Sequence, residues 1–165
     1  MKKLVLLLAF ITVLNVDAFC PSLDFANDSF FTTFQIIIKA CQQIGYDEQR
    51  ALAMFSTESD FKNVTTFSKK TGRHYYGIGQ ICLSTARSSP LNYKGAEKDL
   101  EKLEISIPLC IKYMKYLDKR FKGDYEKVMA HYSGYVGHKN REKHYKKVMM
   151  VYNLLEGCSD EPCSL

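Results

Sequence analysis

An acidic residue in the middle of an apolar helix face is the feature that most constrains the fold of this chain. Residues 47–61 have the spacing of an amphipathic helix. On a projection of about 100° per residue with Ala51 at the origin, Phe55 lies at about +40° and Glu58 at about −20°. Phe61 follows at about −80°, so the carboxyl lies inside the apolar arc. Because an ionised carboxyl is costly to bury, either Glu58 lies in a last turn that has left the core, or its pKa is raised.

A raised pKa would suit Glu58 for proton transfer, since a general acid works best when its pKa is near the ambient pH. Asp60 lies at about 180° on the same projection, on the opposite side of the helix. We therefore expect Asp60 to be solvated. Glu58 is then the one carboxyl of this run that is suited to acid–base chemistry.

Residues 1–18 are typical of a secretory signal peptide. Lys2 and Lys3 precede an apolar run at residues 4–14, and small residues precede a cleavage point after Ala18. The apolar run is too short to span a bilayer, and no later stretch is long and apolar enough to do so. We expect an exported protein, in the periplasm or outside the cell, with no membrane span after cleavage. Residues 19–165 are then enough for one domain.

The formal net charge of +5 indicates little about a partner by itself. Lysines and an arginine are concentrated in residues 138–147, and a solvated helix face is the simplest interpretation of this run. An anionic partner is the alternative. Nucleic acid is not expected, because the chain is exported and has no nucleic-acid-binding motif.

The cysteines predict a disulfide-stapled domain. An even number of cysteines in an exported chain is typical of disulfide bonds. Cys41 and Cys110 lie on apolar helix faces, so either could instead be an unpaired thiol in the core. No pair has C-x-x-C spacing and the histidines are scattered, so we expect neither a metal site nor a cofactor. The six cysteines are Cys20, Cys41, Cys82, Cys110, Cys158 and Cys163.

Apolar residues at three- and four-residue steps predict a mostly α fold. Residues 62–76 lack this periodicity and are either a long loop or a small β-hairpin. Residues 91–104 are polar and are predicted to be a connection. The predicted helices cover residues 28–44, 47–61, 84–87, 106–122, 125–132 and 141–156.

Three segments, in this order, resemble the lysozyme-like soluble lytic transglycosylases, which have an SLT domain. They are STESDF at residues 56–61, YGIGQI at residues 76–81 followed by STAR at residues 84–87, and AHYSGYVG at residues 130–137. The resemblance extends over residues 45–152 and implies a lysozyme-like fold. It departs from the family at Ser133, where an asparagine is usual, so the hydrogen bond of that amide is not assured here.

The resemblance also implies a role for each matching residue. Glu58 would be the single catalytic carboxyl, acting first as an acid and then as a base. Tyr145 and Tyr152 match more weakly and are either part of a groove wall or part of the core, which we favour. The substrate-binding residues would be Ser59, which supports the site by hydrogen bonding, Gly77, Gly79 and Gln80, which line a glycan groove, and Tyr132, which lies beside the carboxyl.

The activity implied by the resemblance is cleavage of peptidoglycan glycan strands between N-acetylmuramic acid and N-acetylglucosamine. Glu58 would protonate the glycosidic oxygen, and the acetamido group of the substrate would stabilise the cation-like sugar. Glu58 would then take a proton from the muramoyl 6-hydroxyl, so that a 1,6-anhydro ring closes.

Two other functions stay open at this point. A lysozyme-type hydrolase would use water, and would need Asp60 or another carboxylate at the site. A non-catalytic wall-binding protein could serve a secretion or conjugation apparatus of the cell envelope.

Overall fold

A computed structural model describes residues 28–134 and 141–160, so the predicted signal peptide at residues 1–18 lies outside the described residues. The described part is mostly helical, with one small two-stranded antiparallel sheet, as the sequence predicts. The helices are α1 (Asp28–Ile44), α2 (Glu48–Ser59), α3 (Leu83–Arg87), α4 (Leu103–Arg120), α5 (Tyr125–Tyr132) and α6 (Arg141–Asp160), the strands are β1 (Thr66–Ser68) and β2 (Arg73–Tyr75), and a 3-10 helix covers Glu97–Glu101.

The region without helical periodicity contains a β-hairpin, which resolves the alternative that the sequence left open. Thr66 pairs with Tyr75, and Phe67 pairs with His74. Gly72 lies in the turn with a φ of +66°, a backbone conformation that glycine adopts without steric cost.

Several helix boundaries differ from the prediction, including the end of α2, which lies at Ser59 rather than at residue 61. Helix α4 begins at Leu103 rather than at residue 106, and Pro108 lies inside the helix. The predicted connection before it contains the 3-10 helix, whose Leu100 is fully buried. Helix α6 continues past Gly157 to Asp160. The few residues that these extensions add contain too few apolar positions to show a helical periodicity in the sequence.

Helix α2 passes through the core of the fold. Five consecutive residues, Ala51–Phe55, are buried, so this part of the helix has no wet face. Helix α1 packs on one part of it and α6 on another, while α4 packs against α1, α5 and the 3-10 helix. The largest fully buried side chains are Phe55, Ile37, Met54, Ile78, Leu100, Ile107, Ile111, Met114, Leu117, Met129, Val128 and Val148.

A polar network fixes the rotation of α2 against its neighbours. The Arg50 guanidinium lies 3.0 Å from Asp118 Oδ1 of α4 and 4.8 Å from the ring centroid of Tyr125 in α5. The Tyr125 hydroxyl donates in return to the Arg50 carbonyl at 3.0 Å. One residue of α2 is thereby tied to two other helices.

The expectation of a disulfide-stapled domain is not supported by the cysteines that the structure describes. Cys41, Cys82 and Cys110 are free and buried. Cys41 and Cys110 are completely enclosed in the core, in agreement with the alternative of unpaired core thiols. Burial raises the pKa of the Cys41 thiol to about 12, so it behaves as a small apolar side chain. Cys20, Cys163 and the side chain of Cys158 lie outside the described residues.

None of the described helices combines the length and the apolar character that a bilayer crossing requires.

The N-terminal cap of α2 supports this arrangement, and its contribution can be measured. The Asp47 side chain accepts a hydrogen bond from the Arg50 amide at 2.8 Å. Asp47→Ala removes this acceptor and should lower the free energy of unfolding by about 1 kcal/mol, which is about 3 °C in Tm. Asp47→Asn keeps an acceptor oxygen and should remain close to the wild type. Equal stability of Asp47→Ala and the wild type in thermal denaturation would contradict the assigned cap.

Candidate active site

The Glu58 carboxyl lies in the last turn of α2, where the helix leaves the core. The helix ends at Ser59, and Asp60 and Phe61 follow with left-handed φ values of 57° and 58°. The Glu58 side chain nevertheless remains only 15% exposed. Asp60 is exposed and lies 3.4 Å from Lys62 Nζ. The two acids therefore have opposite environments. Asp60 is solvated as expected, although the helix ends before it and its position does not follow from a regular helix.

A hydroxyl and an imidazole lie beside the Glu58 carboxyl. Ser133 Oγ donates a hydrogen bond to Glu58 Oε1. His144 Nε2, from α6, lies 2.7 Å from the same Ser133 Oγ and 3.7 Å from Glu58 Oε1. Ser133 therefore makes a hydrogen bond to the carboxyl at the position where the family usually has asparagine.

Burial dominates the ionisation of Glu58. It raises the pKa of this carboxyl above its ordinary value of 4.5, while the hydrogen bond from Ser133 and the positive charge of Lys147 act in the opposite direction. Among the described residues, no second carboxylate contributes to the shift. The arrangement holds one carboxyl that retains its proton to a higher pH than an ordinary glutamate.

Two hydroxyl groups, one at the end of α2 and one at the end of α5, hold the backbone of the segment 77–80. Ser59 Oγ donates to the Ile78 carbonyl at 2.7 Å, and the Tyr132 hydroxyl donates to the Gly79 carbonyl at 2.7 Å. Burial raises the pKa of Tyr132 well above 10, so its hydroxyl keeps the proton that it donates. Ser59 thus holds backbone in this structure, and the described contacts do not include one between it and Glu58.

The Gln80 side chain is also engaged by the protein. Its Nε2 donates to the Gly77 carbonyl at 2.8 Å and to the Val64 carbonyl at 3.1 Å. Its Oε1 accepts a hydrogen bond from Thr66 Oγ1 at 2.5 Å. The amide therefore fastens the hairpin to the turn at residue 77.

Glycine is required at positions 77 and 79 because the backbone comes close to α4. A Cβ at Gly77 would lie 2.7 Å from Ser106 Oγ, and the φ there is +73°. A Cβ at Gly79 would lie 2.5 Å from Cys110 Sγ and 2.8 Å from the Tyr132 hydroxyl oxygen. No side chain larger than hydrogen fits at either position without displacement of its neighbours.

The structure brings together Glu58, Tyr132 and the segment 77–80, which the sequence analysis gave as candidate site residues. Tyr145 and Tyr152 pack against the core, and the Tyr152 ring lies 6.1 Å from that of Tyr125, as the favoured interpretation predicts.

Sequence reasoning missed His144. This residue lies in the lysine-rich run, and nothing in its local pattern distinguishes it from a solvated side chain. Only the packing of α6 against α2 and α5 brings it to the carboxyl. Across the part of the chain that the structure describes, no cluster of His, Cys, Asp and Glu could hold a metal ion.

The comparison with family models confirms the resemblance seen in the sequence. A family model described as the transglycosylase SLT domain matches residues 35–153, which is more than half of the chain. The chain belongs to the transglycosylase SLT domain family. No curated protein and no solved structure matches it. The part that matches the SLT domain includes every residue of the candidate site.

The close approach of Gly79 to α4 and α5 in this SLT domain leads to a stability prediction. Gly79→Ala should lower the free energy of unfolding by about 1–3 kcal/mol, because the added methyl overlaps Cys110 and Tyr132. Gly72→Ala is the matched control: its methyl meets no atom within 4 Å, and only its left-handed backbone costs about 1 kcal/mol. Denaturant unfolding that finds Gly79→Ala as stable as the wild type would contradict this packing.

The burial of Glu58 predicts a pH-dependent stability. Its pKa is higher in the folded than in the unfolded state, so the wild type loses stability as the carboxyl ionises with rising pH. Glu58→Gln stays neutral and should therefore be more stable than the wild type at pH 8. This advantage should diminish as the pH falls through the raised pKa of the folded state towards 4.5, and should be lost below that value. Thermal denaturation over this range tests it, and a variant that is less stable at pH 8 would contradict the burial of a charge.

Proposed function

We propose that this SLT-domain protein is a peptidoglycan lytic transglycosylase with Glu58 as its only acid/base. Membership of the family implies peptidoglycan as the substrate. One observation supports Glu58 as the acid: its carboxyl is buried, has a raised pKa, and accepts a hydrogen bond from Ser133 at the edge of the segment 77–80 network. The proposed bond is the β-1,4 linkage from N-acetylmuramic acid to N-acetylglucosamine.

The first step is protonation of the leaving group. Glu58 gives its proton to the glycosidic oxygen, and the bond from that oxygen to the anomeric carbon of the muramoyl residue breaks. A carboxyl with a raised pKa still holds this proton near neutral pH. The acetamido group of the same sugar stabilises the positive charge that develops at the anomeric carbon.

The second step reverses the role of Glu58. As a carboxylate it takes the proton of the muramoyl 6-hydroxyl, whose oxygen bonds to the anomeric carbon and closes the 1,6-anhydro ring. The hydrogen bond from Ser133 becomes charge-assisted when Glu58 is ionised, which stabilises the carboxylate between the two steps.

A second carboxylate is not needed for this chemistry. Hydrolysis by two carboxyls requires the pair to flank the bond at about 5–9.5 Å from each other. Asp60, the other acid at this end of α2, has a side chain that is 49% exposed and is paired with Lys62. The substrate's own hydroxyl replaces the water that such a carboxylate would activate.

We propose that the segment 77–80 forms part of the wall of the glycan groove. Ser59 and Tyr132 support this role because they hold its carbonyls. Gln80 supports it indirectly by fastening the hairpin. Gly77 and Gly79 allow the backbone to lie close to α4.

The proposal includes export, with the signal peptide at residues 1–18 preceding a single domain at residues 19–165. The partner is the glycan strand. No contact among the described residues favours a secretion or conjugation machine over the wall itself.

Substitution of the acid tests the assignment. Glu58→Gln should keep the fold and lower the rate of glycan cleavage by at least about 10³-fold, because the general acid is removed. Asp60→Asn is the matched control and should keep the wild-type rate. The measurement is release of soluble fragments from purified sacculi, and wild-type lysis by Glu58→Gln would reject the assignment.

The mass of the products separates the transglycosylase from the hydrolase. We expect fragments with 1,6-anhydro-muramoyl ends in mass spectra of the digest. Reducing ends heavier by one water would instead show hydrolysis. Binding to sacculi without any soluble fragment would favour the non-catalytic alternative.

A further inference from the structure

Ser133 Oγ lies between two groups, and either of them could accept the one hydrogen of its hydroxyl. A serine hydroxyl has a single hydrogen to donate and two lone pairs to accept with. Glu58 Oε1 is on one side of it, and His144 Nε2 is on the other at 2.7 Å. The 3.7 Å between His144 Nε2 and Glu58 Oε1 is too long for a direct hydrogen bond. His144 therefore acts on the carboxyl through Ser133.

The direction of these bonds follows from the requirement on Glu58. If Ser133 gives its proton to Oε1, then Ser133 Oγ can only accept from His144, which must carry its proton on Nε2. Oε1 is then an acceptor, and Oε2 is the oxygen that can carry an acid proton. If the bonds ran the other way, the acid proton of Glu58 would be held on Oε1, directed at Ser133 instead of at the substrate.

We propose that His144 is a positioning residue for Glu58, which by donating from Nε2 to Ser133 Oγ keeps the Ser133 hydroxyl directed at Oε1 and the transferable proton on Oε2. This inference rests on the proposed function of Glu58. A serine hydroxyl rotates freely unless a second group fixes it. His144 is the group that fixes the Ser133 hydroxyl.

The surroundings of His144 fit a neutral donor. Its side chain is 11% exposed, and burial together with the positive charge of Lys147 lowers its pKa below 6.5. The ionisable groups that face this site are Glu58 from α2, Tyr132 at the end of α5 and Lys147 of α6 itself. At neutral pH the imidazole is therefore uncharged, and one of its nitrogens carries the proton.

The first test compares variants of His144 on sacculi or on a defined glycan chain. His144→Leu removes the donor and should lower kcat by up to about tenfold, the upper end of the effect of one lost hydrogen bond between neutral groups, with KM changed less than about twofold. His144→Gln keeps an N–H at the Nε2 position and should recover most of kcat. His131→Leu is the matched control, since His131 packs on Phe121 outside the site, and should keep the wild-type kcat.

The second test asks whether His144 acts through Ser133. Ser133→Ala should lower kcat at least as much as His144→Leu, because it also removes the direct hydrogen bond to Glu58, and the double variant should lose no more than about twofold beyond Ser133→Ala. Losses that multiply would overturn the inference, because they would mean that the two residues act independently. Wild-type kcat in His144→Leu would overturn it as well.

The third test needs no substitution. Nitrogen chemical shifts of isotope-labelled histidine in the wild-type protein at pH 8 should show His144 with its proton on Nε2. A proton on Nδ1 would overturn the inference. The failure of the proposed function is separate: it is shown by full activity of Glu58→Gln, whereas an inactive Glu58→Gln with a fully active His144→Leu rejects only the role of His144.

Discussion

The hydrogen bond from Ser133 to Glu58 is the interaction on which the site depends. It joins the last turn of α2 to the end of α5, residues that are 75 positions apart in the chain. A carboxyl in this position would be costly without a polar partner, because burial penalises its charged form. One hydroxyl reduces that cost without removing it, so the pKa of Glu58 stays raised. Stronger pairing, for instance with a guanidinium, would lower the pKa and remove the acid.

The rest of the fold serves to keep the end of α2 in place. The helix is enclosed over Ala51–Phe55, and Arg50 ties its first turns to α4 and α5. At the other end, Ser59 and Tyr132 hold the segment 77–80 against the helix by its carbonyls. Backbone that is fixed in this way can form a rigid wall for a polymer, whereas the side chains that the structure describes hold the carboxyl next to it by one direct hydrogen bond, from Ser133.

Local features of the site could be predicted from the sequence, and long-range ones could not. The projection of residues 47–61 put Glu58 inward because helix geometry is independent of the tertiary fold. Asp60 is exposed as expected, but it lies after the end of the helix with a left-handed backbone. The helix caps are local in the same way, since Asp47 and Asp124 each accept a hydrogen bond from the backbone amide three residues later. Ser133 and His144 meet the carboxyl only because α5 and α6 pack beside α2, and no periodicity encodes that meeting. The cysteine count predicted staples, but burial decided the state of Cys41 and Cys110.

The proposed role of Glu58 depends on a carboxyl that is buried beside the Ser133 hydroxyl and holds its proton more tightly than an ordinary glutamate. The most direct measurement is the carbon chemical shift of the Glu58 carboxyl followed through a pH titration, with Glu58→Gln used to assign the signal. The account predicts a midpoint above 4.5, the ordinary value for this group. A midpoint at or below that value would mean that solvent or a positive charge stabilises the carboxylate, and would contradict the assignment of Glu58 as the acid.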